Sequence, residues 1–525
     1  MDRRNFLKAI GVWGVSMGLP VFFGCAEKLG GKQKQLKRSI KKPNIVFILA
    51  DDLGYGDVSC LNENGKIKTS NIDSIARAGM KFTDAHSGSA VCTPTRYGVM
   101  TGRYAWRTRL KSGVLGGWDK PLIKSDRMTV ASMLKANGYN TGCVGKWHLG
   151  WEWALANKEA DTEDWMLDAK NVDFTKPITN GPTTRGFDYY FGIAGSLDMT
   201  PYVYVENDMP TAVPDRIING SGGQKFWRKG AIAPDFEIEG VLPTLTKKAV
   251  GFIERQSDDK PFFLYFPLTA PHVPLMPTKE FQGKSGLNLW GDFVLQVDWT
   301  VSQVLKALKR KGFEDNTLII MASDNGATPK ADFDKLGKKG HNPSYVFRGH
   351  KADIFEGGHR IPFIAKWPGM IKPGSISDET ICLTDLMATA ADIVGYKLPD
   401  NAAEDSVSIL PVLLQKKYKK PLREATVHHS CDGYFSIRKG KWKLELCPGS
   451  GGWSFPRPDS KKAKELPPVQ LYDIKKDIGE TKNVQHKYPE KVKELTELLQ
   501  SYVDRGRSTP GKKQTNEGET PIRKN

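Results

Sequence analysis

Three runs of strand length, Ile45-Val46-Phe47-Ile48-Leu49, Phe262-Phe263-Leu264-Tyr265-Phe266 and Leu318-Ile319-Ile320-Met321, are apolar at every position rather than at alternate ones. A strand with one wet face alternates; a strand apolar on both faces needs cover on both, which helices packed over a sheet supply. Helical patterns fall between these runs. Asn71 to Ala78 reads as a short helix closed by Gly79, and Thr129 to Ala136 as another closed near Gly138. Asp298 to Lys311 reads as a longer amphipathic helix stopped by Gly312. The alternation predicts an α/β domain.

A chain of 525 residues exceeds what one core holds, roughly 250–300 residues. The texture changes near residue 416. Tyr434 to Ile437 and Lys441 to Leu446 read as short strands around Lys439-Gly440, Leu471-Tyr472-Asp473 follows, and a charged helix runs from Pro489 to about Val503. The expected organisation is a leader over 1–25, a basic linker over 26–42, a main domain over 43–415, a smaller antiparallel sheet with a helix over 416–507, and a disordered polar tail over 508–525.

The leader carries Arg3-Arg4-Asn5-Phe6-Leu7-Lys8 before an apolar run from Ala9 to Phe23, the pattern of a twin-arginine export signal rather than a membrane span. Phe22-Phe23-Gly24-Cys25 is similar to a lipoprotein cleavage box, although Phe22 stands where Leu is usual. The expectation is an exported, periplasmic or cell-surface protein with Cys25 as a candidate lipid anchor. The formal charge of +18 is swollen by seven basic residues between Lys28 and Lys42, yet the remainder is still basic, which favours an anionic substrate. No nucleic-acid recognition module is visible, so nucleic acid is not an expected partner. Seven cysteines are too few for a disulfide scaffold, and no CxxC pair points to zinc. Cys431 and Cys447 could bridge the C-terminal hairpin; the sequence leaves that open.

Two of the buried-type strands end in oxygen-rich turns, Asp51-Asp52 and Ser323-Asp324-Asn325-Gly326. Ligands of open α/β sheets sit beyond the carboxyl ends of strands. Adjacent carboxylates repel and are favoured there by a hard cation such as calcium, which takes six to eight oxygens. Each turn alone is commonplace. The third feature is Cys92-Thr93-Pro94-Thr95-Arg96, running on to Gly102-Arg103. Thr93 can cap a helix, Pro94 suits its first turn and Gly102 its end, which puts Cys92 at a helix N-terminus, a place that favours anions.

Cys-x-Pro-x-Arg with a Gly-Arg ending resembles the signature of the type I sulfatases of the alkaline phosphatase superfamily. Four further stretches resemble that family in order: Pro43 to Gly54; Gly138-Tyr139 through Gly145-Lys146-Trp147-His148-Leu149-Gly150; Ala270-Pro271-His272-Val273-Pro274; and Gly349-His350-Lys351 leading to Glu356-Gly357-Gly358. Leu471-Tyr472-Asp473 with Gly479-Glu480 matches in the C-terminal unit, so the likeness spans roughly 43 to 505. Thr95 replaces the commoner Ser but keeps a hydroxyl.

The resemblance implies a large mixed, mostly parallel central sheet sandwiched by helices, with a smaller C-terminal α+β domain. It implies a sulfuric ester hydrolase in which Cys92 is oxidised to formylglycine by a formylglycine-generating or anaerobic sulfatase-maturating enzyme. It implies one calcium ion held by Asp51, Asp52, Asp324, Asn325 and modified Cys92. Arg96 and Lys146 would neutralise nucleophile and sulfate, and His148, His272 and Lys351 would move protons. Lys146 and His148, two apart, would face the same way in extended chain. Asp198, His428 and His429 are candidate substrate contacts, and His341, His350 and His359 are taken as structural. The family points to a sulfated sugar or polysaccharide such as an N-acetylgalactosamine 6-sulfate. The rivals are a phosphonate or phosphodiester hydrolase of the same superfamily and a non-catalytic surface binder of sulfated glycans.

Overall fold

The structure, a computed structural model, describes residues 41–156 and 169–524. The export signal, Cys25 and residues 26–40 of the linker lie outside the described residues. The apolar runs form the middle of one large sheet. Its strands are β1 (Asn44–Asp51), β2 (Asn140–Lys146), β3 (Tyr189–Ile193), β4 (Phe262–Pro271), β5 (Thr317–Ser323) and β6 (Phe363–Lys366), in the spatial order β6-β5-β1-β4-β2-β3. Met80–Phe82 and Ser375–Ser377 extend the β6 edge; Val205–Glu206 and Met209–Pro210 extend the β3 edge. The central pairs β5/β1, β1/β4, β4/β2 and β2/β3 are parallel, while β6 runs antiparallel to β5. Every residue of β1, β4 and β5 is buried, as unbroken apolar runs require.

Two groups of helices cover the sheet. Helix α1 (Ser70–Arg77) and α4 (Val241–Glu254) each pack with α5 (Leu289–Arg310); α2 (Cys92–Thr101) and α3 (Val130–Ala136) pack with Leu386–Val394. Helix α5 begins nine residues before the expected start at Asp298. Asn288 caps it, its side chain accepting from the amides of Trp290 and Gly291. Asp298, mid-helix, instead caps α1 from outside: its carboxylate accepts from Asn71 N at 3.0 Å and Ile72 N at 2.8 Å. A capping residue borrowed from another helix leaves no local trace in the sequence.

The C-terminal sheet is antiparallel, in the order β7 (Thr426–His429), β8 (Phe435–Lys439), β9 (Trp442–Glu445), β10 (Gln470–Asp473), with α6 (Pro489–Asp504) behind it. Its core of Val427, Ile437, Leu444, Leu471, Leu499 and Tyr502 is continuous with Tyr104 and Trp106 of the main domain. Cys431 and Cys447 both carry free thiols, so no bridge closes the hairpin.

Residues 508–524, expected as a disordered tail, lie against the body. Arg103 donates to the carbonyl of Thr515, Arg107 to Asn516 Oδ1, and the amide of Glu517 to the carbonyl of Arg107. Polar composition misled because the partners are backbone groups and buried guanidinium ions rather than an apolar face. Arg107 is fully buried and also forks onto both oxygens of Asp405 at 2.8 Å. Arg107→Ala strands a buried carboxylate and should cost about 3–5 kcal/mol. A urea unfolding midpoint unchanged from wild type would refute that role.

Candidate active site

Strand register brings the oxygen-rich turns together. Asp51, the last residue of β1, lies opposite Pro271 of β4, and Ala50 lies opposite Ser323 of β5. Asp51-Asp52, His272 and Asp324-Asn325 therefore emerge side by side at the carboxyl end of the sheet. Successive side chains of a strand point to opposite faces, so Asp51 and Asp52 could not share a pocket in extended chain. Asp52 solves this by turning to φ 69°. The ligating atoms of Asp51, Asp52 and His272 then lie within 4.8 Å of one another. The Asp324-Asn325 turn is held from below by a close backbone approach: Gly326 N donates to the carbonyl of Gly358, and a Cβ at Gly326 would lie 1.8 Å from the carbonyl oxygen of Gly357.

Cys92 is the first residue of α2, and Gly102 ends the helix at φ 65°. Val91, in extended conformation, takes the capping position expected of Thr93 and contributes no side-chain cap. The Thr93 hydroxyl instead accepts from Leu115 N at 3.2 Å. The carbonyl of Leu115 in turn receives the Nε2 hydrogen of His148 at 2.6 Å. A carbonyl only accepts, so Nε2 carries the proton and Nδ1 of His148 presents a lone pair. That Nδ1 is buried and unpartnered. His148 sits past the end of β2 at φ 55°, so its alignment with Lys146 comes from a turn and not from extended chain.

Three cations face the three carboxylates. Arg96 Nη2 and Nε reach Asp324 Oδ2 at 2.7 and 3.1 Å, and Nη1 donates to the carbonyl of Lys146 at 3.1 Å. Lys146 Nζ lies 2.7 Å from Asp51 Oδ2 and 2.9 Å from Ser196 Oγ. Lys351 Nζ lies 2.8 Å from Asp52 Oδ1. His272 donates from Nδ1 to the Val273 carbonyl at 2.7 Å, which leaves Nε2 facing Asp52 Oδ2 at 3.7 Å. All of these residues are buried.

Burial opposes ionisation of Asp51, but Lys146, His272 and Arg96 outweigh it and hold the carboxyl well below its usual range. Burial and the neighbouring charge of Asp51 push Asp324 the other way, up to about 6. Burial, with Lys146 and Arg96 adding to it, keeps His148 neutral. Burial also raises the Cys92 thiol, so this sulfur is not poised as a thiolate.

The donor set fits a hard cation. Asp51 Oδ1 and Asn325 Oδ1 are buried oxygens with no hydrogen-bond partner, at adjoining strand ends. Orphaned oxygens of this kind are costly unless something binds them. All are oxygen ligands, as calcium prefers and zinc does not.

Of the candidate substrate contacts, Asp198 borders the pocket. Its Oδ1 is 4.0 Å from His272 Nδ1, and its other oxygen pairs with Arg228. His428 and His429 are not brought there. His428 stacks on His359 at 3.7 Å beside His86, within a buried cluster beneath the C-terminal sheet. The His429 ring packs against Phe435 at 4.7 Å. Strand β7 carries both histidines into the seam between the sheets, which position in sequence could not reveal. Sequence reasoning also missed Ser196, which links Lys146 to His272, and the Thr93–Leu115–His148 chain; neither has a local signal.

Residues 43–396 match the sulfatase family. The chain is 35% identical to the N-acetylgalactosamine-6-O-sulfatase of Bacteroides thetaiotaomicron over 93% of its own length and 98% of that protein. It is 31% identical to human arylsulfatase A, with 92% of each chain covered. Among solved structures, one described under the metabolism of multiple glycosaminoglycans by Bacteroides thetaiotaomicron matches with a TM-score of 0.75 at 33% identity, covering 88% of this chain and 99% of that one. With a helix that starts on a cysteine over a ring of carboxylates, on a fold shared at this level, the chain belongs to the sulfatase family and is a sulfuric ester hydrolase.

Proposed function

We propose that this enzyme removes sulfate from a sulfated carbohydrate, with Cys92 matured to formylglycine and one calcium ion held by Asp51, Asp52, Asp324 and Asn325. The observation that carries the reading is the pair of buried oxygens that receive no hydrogen bond, Asp51 Oδ1 and Asn325 Oδ1, in the charged ring beneath the helix that Cys92 opens. The name of the bacterial relative, an N-acetylgalactosamine-6-O-sulfatase, favours a 6-sulfated amino sugar as substrate.

When bound, calcium supplies a divalent charge beside the sulfate oxygens, and formylglycine in water supplies the attacking hydroxyl and the second hydroxyl that a plain cysteine lacks. Arg96 and Lys146 add fixed positive charge that needs no rearrangement as charge builds on the transferring group. Both are already oriented by the carboxylates, Arg96 by Asp324 and Lys146 by Asp51, so they hold position in the buried pocket. His272, protonated on both nitrogens with its Nδ1–H tied to the Val273 carbonyl, gives its Nε2 proton to the departing alcohol oxygen, and Lys351 stabilises that oxygen. His148, neutral and presenting Nδ1, takes the proton whose removal releases sulfate. Asp198, which pairs with Arg228 at the pocket edge, is the proposed contact to the sugar.

Maturation requires a formylglycine-generating or anaerobic sulfatase-maturating enzyme as partner. The arginine-pair leader supports export to the periplasm or cell surface, with Cys25 as the lipid-anchor residue.

Mass spectrometry of the Cys92 peptide from the native host should find the aldehyde; a free thiol there would sink the catalytic reading. Chelation should abolish turnover of 4-nitrophenyl sulfate and added calcium should restore it, whereas activity insensitive to chelator would remove the metal. His272→Ala should lower kcat by about 10²–10⁴-fold on the same substrate. Faster turnover of a phosphodiester than of the sulfate, or turnover of neither, would transfer the site to one of the rival functions.

A further inference from the structure

An open cleft of about 430 Å³ is made by the turn between β7 and β8, the loop after β9 and Lys524. Its walls include Asp432, Tyr434, Trp453, Arg457, Asp459 and Lys524. None of these residues takes part in the chemistry above.

The cleft is bolted to the segment that carries Lys351. Cys431 N donates to the Ala352 carbonyl at 3.0 Å, and Trp453 N and Ser454 N both donate to Asp353 Oδ1 at 2.9 Å. Ser454 Oγ bonds His350 Nε2 at 3.0 Å. Gly452 packs so closely on this segment that a Cβ there would lie 2.2 Å from the Ala352 carbonyl oxygen. Cys431 stands next to Asp432 in the chain, and Lys351 and Cys92 are near enough to act on its thiol. The cleft is thus built directly against residues 350–353, the segment that carries Lys351.

Its chemistry is specific. Trp453 is 39% exposed although it is the largest of side chains, and Tyr434 stands with it in the lining. Flat aromatic faces at the rim of a pocket with a few convergent polar groups are the usual form of a small-ligand site. Two carboxylates accept hydrogen bonds and two cations donate them, so the charges balance and an anion gains nothing by net attraction. Lys524 is fixed by the Asp432 carbonyl and lies 5.0 Å over the Tyr434 ring. A pyranose ring offers what this lining matches: apolar C–H faces for the indole and a rim of hydroxyls that both donate and accept. The volume is within the range of small-molecule pockets, about 300–1,000 Å³.

We propose that this cleft is a second sugar subsite, which holds the uncharged ring next to the sulfated one in the same glycan chain, with Trp453 as its platform. The proposal rests on the carbohydrate reading of the active site and extends it from a single sugar to an oligosaccharide.

The test uses full-length matured enzyme and three probes: 4-nitrophenyl sulfate, N-acetylgalactosamine 6-sulfate, and a trisaccharide ending in that sugar. In the wild type, kcat/KM should be about tenfold higher for the trisaccharide than for the free sugar. Trp453→Ala should reduce the ratio of trisaccharide to aryl sulfate kcat/KM by about five- to tenfold, mainly through KM, as loss of one aromatic stack predicts. Asp459→Ala should shift the same ratio in the same direction. Turnover of the aryl sulfate with no gain from the longer sugar, or a ratio unmoved by both substitutions, overturns the subsite and leaves the sulfatase chemistry standing. No turnover of any probe by the wild type overturns the carbohydrate reading and the subsite with it.

Discussion

Six charged side chains meet in the pocket with almost none of their surface exposed: Asp51, Asp52 and Asp324 against Arg96, Lys146 and Lys351. Removing ions from water costs several kcal/mol each, and only close pairing offsets it. Each carboxylate accordingly has its own cation, at 2.7 or 2.8 Å. No member can be lost without stranding its partner. The rest of the molecule can be understood as the frame that keeps these distances: parallel strands of matched register, buried along their whole length, ending in one row.

The same condition explains why strained backbone gathers here. Asp52 and His148 are non-glycine residues in left-handed conformation, at φ 69° and 55°, each just past the end of a core strand. Such conformations cost about 1–3 kcal/mol and persist when the surroundings over-determine them. Asp52 is fixed by Lys351, Asn325 and its own amide on Asp324; His148 by the Leu115 carbonyl.

Much of this was legible in the chain. The three apolar runs became β1, β4 and β5, and the turns following two of them supply three carboxylates and an amide. Cys92 through Gly102 read as a helix because its start and stop residues are local signals. What escaped was carried by contacts between distant segments. Thr93 looks like a cap but serves Leu115, Asp298 looks like a helix start but caps a different helix, and His428 is carried by β7 into another cluster. The tail was misjudged for a related reason. Its anchors are Arg103 and Arg107, about four hundred residues upstream, and no window of sequence joins them.

Those anchors follow α2 directly. The helix that begins at Cys92 is succeeded by the two arginines that grip residues 515 and 516, near the very end of the polypeptide. Cys92 itself is only 2% exposed. A side chain so enclosed meets other molecules only through the pocket, or before the chain has closed around it.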